Sequence, residues 1–153
     1  ASDYVIDTSH LTAQGLLQEL KEIYASGDTK QGLEINVMAF GFKYGMPLDA
    51  DLVFDVRCFP NPFYIDELKH KTGNDKEVYD YVMSQSETQE FVRRTIEYYD
   101  YLLEKYEEEG KMQMIIGIGC TGGQHRSVTL TNYFAEHYSQ YYQVYKWHRD
   151  ADH

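Results

Sequence analysis

Cysteine, proline, tryptophan and positive charge are all scarce: the 153 residues hold two Cys, three Pro and one Trp, with 14 Lys and Arg against 25 Asp and Glu. Two thiols, Cys58 and Cys120, are too few for a disulfide framework and point to reduced cysteines in a cytoplasmic protein. The net charge of -11 argues against general affinity for a polyanion, which relies on Lys and Arg neutralising phosphates. Charge therefore weighs against RNA as a partner and keeps an RNA-binding adaptor or oligomerisation module only as an alternative reading, although a local basic spot can still hold a small anion. No apolar run approaches the roughly 20 residues that cross a bilayer, so no membrane association is expected. His10, His70, His137 and His153 have no metal-ligand spacing with cysteine or acidic partners, and no metal site is expected.

The length suits one domain with one core. Hydrophobic residues at 42% and charged residues at 25% are ordinary for a globular protein, and the 15 tyrosines read as packing groups with the ring inward and the hydroxyl toward water. Val5 and Ile6 could close a short strand, and the segment up to Gly27 has Leu16, Leu17, Leu20, Ile23 and Tyr24 at helical spacing. Strands are predicted at 33–40, 51–58, 111–119 and 143–150, and helices at 75–84, at 86–109 with a Ser86/Gln89 capping box, and from Ser127 onward. Strands joined by long crossovers predict an α/β layered fold with a mixed, partly parallel sheet flanked by helices. Trp147 reads as core filler, His148 and Arg149 as a solvated terminus, and Asp49 and Asp51 as turn caps with one structural ion pair.

The chemistry concentrates in "QMIIGIGCTGGQHRS" (113–127), a buried strand, a glycine-rich turn and a helix start. Backbone N–H groups at a helix N-terminus point at a bound anion. Gly119, Gly122 and Gly123 let the chain curl close to it; Thr121 and Ser127 offer hydroxyls, His125 a donor whose charge depends on pH, and Arg126 a fork matched to phosphate. The set predicts a site for phosphate, sulfate or carboxylate. It is not a Walker A loop, and the G-x-G-x-x-G at 117–122 lacks the acidic residue of a dinucleotide site. A rival is C-x5-R, with Cys120 as nucleophile and Arg126 on the phosphoryl oxygens, the spacing of protein tyrosine phosphatases; it needs a general acid, for which Asp55 or Asp66 are the candidates. Arg57, toward the C-terminal end of the second strand, and Asn61 just after it are expected near the ligand because open α/β sheets bind at strand C-termini.

"FGFKYGMPLDADLVFDVRCFPNP", "TGNDKEVYDYV" and "IGCTGGQHRSV", in order over roughly 33–148, resemble the C-terminal domain of the RapZ/YvcJ family of bacterial nucleotide-binding proteins. The opening stretch is similar to the end of that family's P-loop kinase-like domain. The resemblance implies that residues 1–30 are the tail of that domain, whose Walker motifs are absent, and that 31–153 form a ligand-binding domain. It implies ATP or GTP as cofactor of the missing domain and none here. It further implies a phosphorylated amino sugar, glucosamine 6-phosphate, as ligand of Thr121 to Ser127, Gln124 included, and an RNA-adaptor role in enterobacterial relatives. Tyr44 stands where the enterobacterial form has histidine, and a tyrosine gains no positive charge near neutral pH. That form also ends in a basic tail, whereas this chain ends "KWHRDADH". A homo-oligomer is left open.

Overall fold

The computed structural model describes residues 32–151. The expected strand at Val5 and Ile6, the helix before Gly27 and the 1–30 tail lie outside the described residues. Four strands, β1 (Glu34–Gly41), β2 (Leu52–Asp55), β3 (Gln113–Cys120) and β4 (Gln143–His148), form one sheet in the order β2-β3-β1-β4. Three helices accompany them: α1 (Lys76–Met83), α2 (Ser86–Glu108) and α3 (Arg126–Tyr138).

Every strand pairing is parallel, so the expected mixed sheet is corrected to a wholly parallel one among the described residues. Each strand returns through a long crossover rather than a hairpin, and such returns bring the next strand in with the same direction. β1 and β3 are buried at every position after the first, which explains their nearly unbroken apolar sequence. On one face Ile35, Val37, Met114, Ile116, Ile118 and Val144 meet Val92, Tyr99 and Leu103 of α2 and Leu130, Phe134 and Tyr138 of α3. Each large apolar side chain so buried contributes about 1.5–3 kcal/mol. The other face carries Met38, Ile115 and Tyr145, with Ala50 and the partly buried Trp147 against them.

The tyrosines divide. Tyr138 buries its ring and donates its hydroxyl to Asp100 Oδ1 at 3.2 Å, whereas the Tyr99 hydroxyl is buried without a protein partner, against the expectation of a hydroxyl in water.

Element ends follow local chemistry, with corrections. α2 stops at Gly110, whose φ of +83° needs glycine; Gly110 N donates to Glu107 O and Lys111 N to Tyr106 O, both at 3.0 Å, a Schellman closure. No Ser86/Gln89 capping box forms: only Ser84 and Gln85 separate the two helices, so Ser86 already lies in the first turn, and the Gln89 amide donates to Met83 O instead. β2 ends at Asp55 rather than at Cys58, because the Asp55 carboxylate turns back onto Arg57 N, Nε and Nη2 at 2.9, 3.0 and 2.7 Å. Cys58 is exposed. Asp51 does make the structural ion pair, with Lys111 at 3.2 Å, and also accepts from Ile115 N. The segment after β4 is not a solvated terminus: Arg149 N donates to Ala39 O, and Asp150, buried, accepts from Gly41 N at 2.8 Å.

Gly117 of β3 faces Pro47 and Ala50, so the chain leaving β1 passes over the Met38 face, whereas the chain leaving β3 enters α3 on the other. Neighbouring strands thus send their connections to opposite sides, opening a crevice at their C-terminal ends, where Gly41 and Cys120 pair in register. Among the described residues no helix is long and apolar enough to cross a membrane.

Candidate functional site

Two glycines fix the loop after β3. Gly123 has φ of +78°, and a Cβ there would lie 2.6 Å from Gly41 N. The turn therefore presses on the end of β1 in a way only glycine permits. Lys43 N donates to Thr121 O at 3.2 Å and Gly73 N to Gln124 O at 2.8 Å, so the loop is held from both sides.

The loop ends at Arg126, the first residue of α3, which is 4% exposed. Its Nη1 donates to the carbonyls of Arg57 at 2.7 Å and Phe59 at 3.0 Å, and its Nη2 reaches Thr121 Oγ1 at 3.5 Å. Nε is buried without a protein partner. A buried charge is costly unless it is paired. The nearby Asp55 does not close on Arg126: it binds Arg57, whose hydrogen bond holds its carboxyl below the usual carboxylate range.

A cleft of about 430 Å³ opens here. Of the residues expected at the ligand, the structure brings Tyr44, Asn61, Thr121, Gly122, Gln124, His125 and Arg126 to its walls, together with Cys120. Gly123 and Ser127 are not among the lining residues; Ser127 is fully buried and accepts from Cys120 Sγ at 3.2 Å. The Arg57 side chain is elsewhere too, stacked 4.1 Å over the Phe42 ring and paired with Asp55, and only its carbonyl reaches the site, through Arg126. Lys43, Phe63 and Tyr64 line the cleft and were not anticipated from the sequence. Their signal was position: Lys43 follows the end of β1, and Phe63 and Tyr64 follow Asn61 in "NPFY". No lining residue carries a carboxylate.

His125 is buried, with Nε2 3.2 Å from the Lys69 carbonyl oxygen. Burial pulls its pKa below the ordinary histidine value, against the opposing pull of the Lys69, Lys71 and Leu68 carbonyls. A neutral ring donates Nε2–H to Lys69 O and leaves Nδ1 as an acceptor. Positive charge at the cleft therefore rests on Arg126 and Lys43, beside the first-turn N–H groups of α3, which an α-helix leaves without internal partners.

A parallel sheet with a glycine-bent loop and a basic, carboxylate-free cleft at its C-terminal edge defines an α/β domain of the strand-end binding class. Residues 33–152 match the family model described as the RapZ C-terminal domain, and the chain belongs to that family. It is 50% identical over 151 residues to a nucleotide-binding protein of Clostridioides difficile, covering 98% of this chain and 53% of that protein. A nucleotide-binding protein of Bacillus pumilus is 50% identical over 150 residues, 97% of this chain and 50% of its own length. One of Caldicellulosiruptor saccharolyticus is 54% identical over 129 residues, 84% and 44% respectively. The chain thus spans about half the length of the curated relatives it matches.

Proposed function

We propose that this chain is a sensory domain that binds a phosphorylated amino sugar such as glucosamine 6-phosphate at the β1/β3 cleft, within a cytoplasmic nucleotide-binding protein. The observation that carries the reading is Arg126, a buried guanidinium with an unpaired Nε in a cleft without carboxylates. The phosphoryl group is held by Arg126, the Thr121 hydroxyl and the amides of the glycine loop and first turn of α3. Tyr44 and Asn61 face the sugar. The relatives are named nucleotide-binding proteins and are about twice as long, so ATP or GTP belongs to the part of the protein outside this chain. RNA binding finds no support in a chain of net charge -11. Calorimetry with glucosamine 6-phosphate tests the reading: saturable heat that Arg126→Ala removes supports it, and no heat, or unchanged affinity in the variant, overturns it.

A second reading, a cysteine-dependent phosphatase, draws on one contact: Cys120 Sγ lies 3.2 Å from Ser127 Oγ beside the cleft. A thiolate there would form a bond to phosphorus as the ester oxygen leaves, and that oxygen must take up a proton. No carboxylic acid lines the cleft, and Asp55 is tied to Arg57. Turnover of an aryl phosphate lost in Cys120→Ser would support this reading; its absence removes it.

A further inference from the structure

Beside its cations the cleft has a feature that anion binding does not require. Tyr64 is 81% exposed and Phe63 46%, yet neither sits on a loose loop. They stand on a 3-10 turn, Pro62–Tyr64, whose start is fixed by Phe63 N donating to Asn61 Oδ1 at 3.0 Å and whose end is closed by Ile65 N donating to Pro62 O at 3.0 Å. Pro62 is buried. The two rings meet edge to face with centroids 5.7 Å apart, and Lys69 Nζ lies 4.9 Å over the Phe63 ring. In the same way Lys43 Nζ lies 5.2 Å over Tyr44. Tyr64 carries no such cation among the described contacts.

An aromatic ring held open to water on a rigid support forgoes the stabilisation that burial would give it. Its electron-rich face attracts polarised C–H groups and cations. Next to it stand amides, Asn61 and Gln124, and the Tyr44 hydroxyl, groups suited to hydroxyl substituents. A ring face for C–H groups combined with short polar side chains for hydroxyls is the chemistry that holds a carbohydrate ring; a bare anion needs neither.

We infer that Tyr64, backed by Phe63, is a specificity platform on which the ring of a cyclic sugar monophosphate stacks while its phosphate lies on Arg126. The inference rests on the phosphate-ester reading above and adds to it the group that tells a ring from a chain. Tyr64 touches little else, so its replacement leaves the fold intact.

The test is calorimetry on the 153-residue chain and its variants with three probes: inorganic phosphate, glycerol 3-phosphate and glucosamine 6-phosphate. The unaltered chain binds the cyclic ester more tightly than the acyclic one. Tyr64→Ala weakens the cyclic ester by roughly threefold to tenfold, the worth of one aromatic contact, and leaves the other two within about twofold. Tyr64→Phe keeps the full affinity, because the ring and not the hydroxyl acts. Equal change in all three probes, or no change in any, overturns the platform while leaving the anion site standing. A nucleoside monophosphate is titrated as a control beside the three probes: if it, and not the sugar ester, loses affinity in Tyr64→Ala, a base and not the amino-sugar ring stacks there, and the inference is again overturned. Failure of all three probes to bind the unaltered chain overturns the anion reading itself, and the platform with it.

Discussion

Two of the polar hollows among the described residues differ in chemistry, and the larger of the two has its polar groups matched to one another. One, of about 570 Å³, lies among α1, α3 and β4; the other, of about 430 Å³, is the cleft at the ends of β1 and β3. At the larger, Asn132 Oδ1 lies 2.9 Å from His148 Nε2, Asn132 Nδ2 donates to Asn74 Oδ1 at 2.9 Å, and Asn74 Nδ2 lies 3.4 Å from His148 Nδ1, a closed triangle. Lys76 is paired with Asp80. At the smaller, Arg126 meets carbonyl oxygens and no carboxylate, and keeps a buried N–H unmatched. On the proposed reading, charge on a rigid support and not size marks the binding site, because Arg126 has been desolvated with no carboxylate hydrogen-bonded to it and an incoming anion gains that contact.

The contrast predicts that changes at the cleft alter affinity and changes at the larger hollow alter stability. Arg126→Ala has the largest effect: it lowers affinity for a phosphate ester roughly 10- to 150-fold in calorimetry, the worth of a charged hydrogen bond. Its stability changes far less, since losing donors to Arg57 O and Phe59 O is offset by removing a buried charge. Next comes the loop itself. Gly123→Ala places a Cβ against Gly41 at positive φ and costs about 1–3 kcal/mol in denaturant unfolding, whereas Gly122→Ala meets nothing within 4 Å and stays near neutral.

The third prediction concerns acid. Burial, with Lys146 adding to it, lowers the His148 pKa from 6.5 to about 4, so the unfolded chain takes up its proton first as pH falls. The stability linked to His148 is therefore complete above about pH 6.5 and declines toward pH 4, by ~3 kcal/mol from His148 alone. His125, lowered for the same reason, adds to the slope in the same direction. Thermal melts from pH 7 to 4 check this, and His148→Gln should flatten part of the slope. The smallest effect belongs to Asn132→Ala: it breaks the triangle at about 1 kcal/mol of stability and leaves phosphate affinity within about twofold. A large affinity loss there would erase the distinction between the two hollows.

What the sequence revealed depended on the range of the interaction. The apolar runs of β1 and β3, the stop at Gly110 and the loop from Thr121 to Arg126 are written in adjacent residues, and each lies within a few positions of its expected place. Strand direction was not legible, because it follows from how crossovers travel and not from any strand's own pattern. The same holds for contacts between distant segments. His148 and Arg149 read as a solvated end, yet the carboxylate of the adjoining Asp150 meets Gly41 across 109 residues. Arg57 was placed toward the ligand by its position at a strand end, and the competing carboxylate two residues earlier draws its side chain away. Cleft membership of Lys43, Phe63 and Tyr64 needs three separate connections to converge, which no local pattern announces.

The central claim, that the smaller hollow and not the larger one takes an anion, is tested most directly by following backbone amide NMR shifts while titrating inorganic phosphate into the chain. The account predicts saturable shifts concentrated at Thr121 through Val128 and at Lys43, with Gly73, Asn74 and Asn132 unmoved. Shifts centred on those last three, or no saturable shifts at all, would contradict it.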